Sequence, residues 1–138
     1  MPFTGNFLCT SFKVGLLGAS FDFATPKTDV YKIALYDNAA SFDASTTVYT
    51  TNNEVVASGY TAGGEILTPT VSYDGTTSFV SFANVSWTSA LTARGALIYK
   101  VGGSSICVLD FGSNKTSTVT FTVEFPAASS TTAIIRLA

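Results

Sequence analysis

An all-β fold of mainly antiparallel strands is what this sequence predicts: a single sandwich or jelly-roll-like domain over residues 1–138, with one short N-terminal helix. Three observations carry that expectation. Apolar residues alternate with hydroxyl-bearing ones over short runs, the period of a half-buried strand. About six or more such runs recur at intervals of about 10 to 15 residues, separated by polar turns. Strand-like runs are not followed regularly by helix-like ones, as a parallel nucleotide-binding sheet would require. A chain of 138 residues is long enough to close one core, and no composition shift or internal repeat divides it.

Taken in order, NFLCTSFKVGLLGASFDF (residues 6–23) holds the helix. Phe7, Leu8, Phe12, Leu16 and Leu17 approach one-face spacing, and Thr10 or Ser11 is placed to cap. Gly15 and Gly18 limit it to two or three turns at about 1 kcal/mol each. TPKTD (25–29) reads as a loop. VYKIALY (30–36) is a strand with Tyr31, Ile33 and Leu35 on one face and Lys32, Ala34 and Tyr36 on the other. DNAASFDAST (37–46) is a polar connection with room for one helical turn, and TVYTTNNEVV (47–56) a short edge segment. EILTPTVSY (65–73) and TSFVSFANVSW (77–87) are two strands joined by the turn YDGT, and Pro69 demotes the first to an edge or bulged strand. RGALIYK and SICVLDF flank the hairpin loop VGGSS. VTFTVEF (119–125) turns Val119, Phe121, Val123 and Phe125 inward and Thr120, Thr122 and Glu124 outward, and AIIRLA closes the chain as a last strand.

Charged residues make up 12% of the chain, against ~25% in an average soluble domain. Serine and threonine take their place. Aromatic residues reach 13%, too many for a disordered segment. A folded chain with a neutral, hydroxyl-rich surface and a net charge of −2 is suited to burial in an assembly. The plainer explanation is a monomer whose threonines simply favour strands. The seven basic residues are scattered singly, which argues against nucleic acid as a partner. No run reaches the ~18 apolar residues of a membrane-spanning helix, and no signal-peptide pattern is present. The expectation is a protein made in the cytoplasm, with Cys9 and Cys107 as reduced, small apolar residues unless the fold brings them together.

Histidine is absent, which removes Ser-His and Cys-His nucleophile pairs and imidazole metal ligands. Two cysteines do not make a four-thiolate site. Nine carboxylates remain, and no spacing marks a catalytic pair among them. Asp37 and Asp43 share a loop but lack the calcium-loop pattern, so solvated loop carboxylates are the expected reading. DFG at 110–112 ends a strand without the other kinase motifs, Gly112 starting the turn into SNKT. No enzyme activity, metal or cofactor is therefore expected.

NEVVASGYTAGGEIL (53–67) has the glycine separation of a phosphate-binding loop, but Glu65 stands where the loop's lysine belongs, and a carboxylate there repels phosphate. The residues beyond the glycines are strand-like, not helical. The glycines are expected to supply positive φ at a turn or bulge.

Several stretches in fixed order carry a resemblance: CTSFK (9–13), NEVVASGYTAGGEILT (53–68), FANVSWTSALTARGALIYK (82–100), VLDFGSNKTSTVTFTVEFP (108–126) and AIIRLA (133–138). Together they resemble a family of small structural proteins of tailed bacteriophages, and the similarity covers nearly the whole chain. The resemblance implies a virion component with no catalytic residues. Its expected role is a capsid cement or decoration protein on the outside of the shell. Its partners would be the major capsid protein and copies of itself, as dimers or trimers. A tail or head-tail joining ring protein is the alternative. A glycan-binding sandwich, using Tyr36, Tyr49, Tyr60, Tyr73 or Trp87 beside carboxylates, stands third. Loop aromatics and arginines anchor interfaces, which singles out Tyr49, Tyr60 and Arg94. Each has a plainer role set against this: Tyr60 as a cover for the glycine turn, Arg94 as the partner of a nearby carboxylate, and Trp87 as a core residue.

Overall fold

The computed structural model describes residues 3–24 and 29–138. Apart from Asp29, the loop expected at 25–29 lies outside the described residues. The chain is mostly β, as expected, in antiparallel sheets with one short helix. The strands are β1 (Phe7–Leu8), β2 (Tyr31–Tyr36), β3 (Glu65–Ile66), β4 (Pro69–Asp74), β5 (Thr77–Phe82), β6 (Val85–Thr88), β7 (Thr92–Lys100), β8 (Ser105–Thr116), β9 (Thr120–Val123) and β10 (Ile135–Leu137). The helix is α1 (Thr10–Leu17).

A five-stranded sheet, in the order β1-β8-β7-β2-β3, forms the centre. It is covered on both faces, so β7 and most of β2 are buried without alternation. On one face Tyr31 stacks on Phe23 at 4.6 Å, and Phe23 meets Phe82 edge-on at 6.4 Å. Phe82 belongs to a three-stranded sheet, β10-β5-β4, which with the two-stranded sheet β6-β9 makes the second layer. On the other face Tyr36 packs edge-on against Phe42 at 4.6 Å, and Tyr99 stacks on Tyr49 at 4.6 Å. The connection at 37–57 thus covers the central sheet without being a strand itself. Asp37 and Asp43 fold it back through their carboxylates, which accept from Ala39 N–H and Ser45 N–H, each at 2.8 Å. No helical turn forms there, and of the expected edge segment only Glu54 bridges to Tyr36.

The helix has the two turns expected but begins later than its apolar spacing implied. Phe7 and Leu8 leave it to pair with Val108 and Cys107, because a vacant sheet edge offers backbone partners that a short helix cannot match. Neither Thr10 nor Ser11 caps. Cys9 occupies that position without a side-chain bond, and the Ser11 hydroxyl donates to Ser105 C=O at 3.1 Å. Leu17 is exposed.

EILTPTVSY is split between two sheets as β3 and β4, and TSFVSFANVSW is likewise split into β5 and β6. Pro69 begins β4, an edge strand, as its missing N–H requires. Asp74 and Thr77 close a two-residue loop with Gly75 at φ +61°. The DFG segment does not end β8. The ladder passes from Gly95/Asp110 to Ala93/Lys115, so residues 111–114 bulge opposite the single Arg94, with Gly112 at φ +84°. In β9 Phe121 and Val123 are buried as expected, whereas Val119 precedes the strand and is exposed.

Candidate functional site

The stretch at 53–64 closes the edge of β2 where β3 stops. Asp37 N–H donates to Asn53 C=O at 2.9 Å, Val55 N–H to Leu35 C=O at 2.9 Å, and Leu35 N–H to the Tyr60 hydroxyl at 2.8 Å. Gly59, Gly63 and Gly64 all adopt positive φ, as their role in a turn requires. Gly64 is the tightest: a Cβ there would lie 1.7 Å from Ile33 O. Gly59 and Gly64 therefore serve close backbone approach, and all three glycines supply the positive φ of the turn.

At the centre of this strap is Glu54, which is buried, whereas Asp37 and Asp43 are exposed as expected. Its Oε1 accepts from Tyr49 Oη–H at 2.5 Å, and its Oε2 from Tyr60 Oη–H at 2.6 Å and Gly63 N–H at 2.8 Å. Tyr99 Oη–H donates to Gly63 C=O at 2.7 Å and Tyr36 Oη–H to Thr50 C=O at 2.7 Å. Burial, reinforced by the Glu54 charge, pushes the Tyr60, Tyr49 and Tyr36 hydroxyls far above their usual range and Tyr99 up to about 12. All of these donors and acceptors are matched within the protein, so the cluster is a structural knot.

The interface candidates fall within this machinery. Tyr60 is buried on the strap, and Tyr49 is half-buried with its hydroxyl on Glu54. Arg94 is 4% exposed, ion-paired to Asp110, with its guanidinium 5.6 Å from the Phe3 ring centroid. Asp110 also receives Gly112 N–H at 2.8 Å, so the DFG residues hold the β8 bulge in shape. In this conformation Tyr60 and Arg94 have almost no surface to offer a partner. The stacking platforms weighed for glycans fare similarly: Tyr36, Tyr60 and Trp87 are buried, and Tyr73 is the exposed one. Among the described residues, no group of three or more His, Cys, Asp and Glu is placed to hold a metal ion. No helix among them is long and apolar enough to cross a membrane.

Cys9 and Cys107 are free and buried. Leu8 stands opposite Cys107, and Cys9 N–H continues the ladder to Ile106 C=O at 2.8 Å, so the two thiols project to opposite sides of the sheet. Burial pushes both thiols above their usual range.

The surface that remains open is β4. Its residues 70–74 are all exposed, on both faces. Val71 is 52% and Tyr73 76% exposed. Beside it an apolar cleft of about 290 Å³ runs between Phe12, Leu16, Phe21 and Phe23 on one wall and Val71, Val80, Ile135 and Leu137 on the other. The registers Val71↔Val80↔Ile135 and Tyr73↔Ser78↔Leu137 put these side chains on the inner face of the three-stranded sheet, which overhangs the core. Sequence reasoning passed over Val71 and Leu137 and weighed Tyr73 only as a platform for glycans. The available signal was an edge strand, marked by Pro69, with no lysine along it.

Compared with known proteins, the chain matches no family model, no curated protein and no solved structure.

Proposed function

We propose that this chain is a structural protein of a particle, acting by binding neighbours and not by chemistry. The open edge of β4 carries this reading. Soluble monomers protect sheet edges with lysines, mid-strand prolines, bulges or covering segments. This fold does so at β2, where the 53–64 strap closes the edge. At β4 it leaves six residues whose one charge, Asp74, sits at the turn, flanked by exposed Val71 and Tyr73. Among the described residues this is the longest edge strand. An uncharged edge beside apolar surface is a hazard in free solution and an asset in an assembly.

Together with the neutral, hydroxyl-rich composition and the resemblance to tailed-phage virion proteins, this supports a capsid cement or decoration protein. Such a protein binds the outside of the shell in many copies and stabilises it by mass action. The test is copy number per virion, by quantitative mass spectrometry against the major capsid protein. Hundreds of copies in a simple ratio to the shell subunit are expected. Six, twelve or a few dozen would move the protein to the tail or its junction with the head. Absence from the particle would overturn the virion reading.

A further inference from the structure

The hydrogen-bonding phase of the β4–β5 hairpin narrows what lies against β4. Asp74 and Thr77 close a two-residue loop, so Thr70, Ser72 and Asp74 direct their N–H and C=O groups at β5. Thr68 C=O accepts from Ala83 N–H at 3.1 Å in the same phase. Val71 and Tyr73 therefore direct theirs outward, and among the described residues nothing bonds to them. The two positions are symmetric about Ser72.

On the assembly reading above, we infer that β4 pairs antiparallel with β4 of a second copy, about a two-fold axis at Ser72. Each Val71 then faces the other copy's Tyr73, and all the outward N–H and C=O groups of both residues are satisfied, about four bonds in all. Sliding the register so that Val71 faces Val71 brings Tyr73 opposite Pro69, which has no N–H to give. Sliding it the other way carries Val71 onto Gly75 in the turn. The side chains agree with the symmetric register. Val71 and Tyr73 share the inner face, a β-branched residue opposite an aromatic is a favourable cross-strand pair, and the second copy's ring lies at the mouth of the apolar cleft that Val71 lines. The strand's one charge, Asp74, meets Thr70, so no like charges face each other. A six-residue strand pair covers well under the ~800 Å² per partner of a stand-alone dimer. The contact is weak between free molecules and effective where a lattice holds copies side by side.

A cysteine at the two-fold axis tests the register. Residue 72 faces itself in a non-hydrogen-bonded pair, with Cα atoms about 4.5 Å apart, within disulfide range. The native cysteines are buried and do not compete. Under mild oxidation at high concentration, the Ser72→Cys variant is expected to form a disulfide-linked dimer. Thr70→Cys, also exposed but facing Asp74, is not. Adding Val71→Pro to Ser72→Cys removes an outward N–H without touching the β4–β5 ladder, and should cut cross-linking roughly tenfold. Equal cross-linking at 70 and 72, or no effect of Val71→Pro, would overturn the inference. Val71→Pro protein that still occupies particles at full copy number, with no Ser72→Cys cross-link, would remove the β4 pairing and leave the particle role standing. Wild-type protein absent from particles would remove that role, whatever the cross-link shows.

Discussion

Replacing Glu54 by alanine removes the acceptor for three donors at once: the Tyr49 and Tyr60 hydroxyls and Gly63 N–H. Tyr49 is half-buried, and its hydroxyl can turn to water at little cost. Tyr60 and Gly63 are buried, and an orphaned buried donor costs about 1–3 kcal/mol. The expected loss is therefore about 3 kcal/mol, a large share of the 5–15 kcal/mol that holds a domain of this size. Glu54→Gln separates hydrogen bonding from charge. Its amide oxygen can still accept from Gly63 and Tyr60 while its NH₂ faces the Tyr49 hydroxyl, which can accept in turn. A loss of about 1 kcal/mol is expected. Urea unfolding followed by circular dichroism reads both variants. Because the strap covers the β2 edge, Glu54→Ala should also speed amide exchange at Leu35 and Val55 more than at strands remote from it. Should Glu54→Ala cost under 0.5 kcal/mol, or Gln cost as much as Ala, the knot is not what fastens the strap.

Alkaline pH should unfold the protein cooperatively. Tyr31, Tyr36, Tyr60 and Tyr99 are buried, and their hydroxyls are raised above the usual value near 10, Tyr99 the least at about 12. A folded-state pKa above the unfolded one means stability that is complete below pH ~10 and lost as pH climbs toward the folded value. At pH 11 each unfolded tyrosine gains between 1 and 2 kcal/mol by ionising, about 6 kcal/mol for the four. Ionisation of these four tyrosines and loss of structure should therefore rise together near that pH; their free ionisation in a folded chain would refute the burial. Gly64→Ala, with its Cβ forced onto Ile33 O at φ +80°, should cost over ~3 kcal/mol. Gly75→Ala, with nothing within 4 Å at φ +61°, should cost only ~1 kcal/mol; chemical denaturation compares the two, and equal losses would show that conformation, not the close approach, governs both. Neither Cys9 nor Cys107 should react with a thiol reagent until the chain unfolds, so labelling of the native protein would contradict their burial.

Local chemistry made much of this fold legible in the sequence. Alternation located β9, the glycine-led VGGSS loop located the two arms of the β7–β8 hairpin, Pro69 marked an edge, and the DG pair marked the β4–β5 turn. Glu65 in place of a lysine was enough to read the glycines as a turn, because charge at one position decides phosphate binding without reference to the fold. The features that escaped depended on partners distant in sequence. Phe7 and Leu8 look helical until β8 offers them a ladder about a hundred residues away. Glu54 reads as one residue of a short edge segment until Tyr60 and Gly63 fold over it. Period and turn chemistry are properties of neighbouring residues, so sequence alone determined the class of the fold and the kind of surface it shows. Which edge is covered and which lies open depends on how the sheets stack, and only the tertiary structure decided that β2 is closed by the strap and β4 is left free.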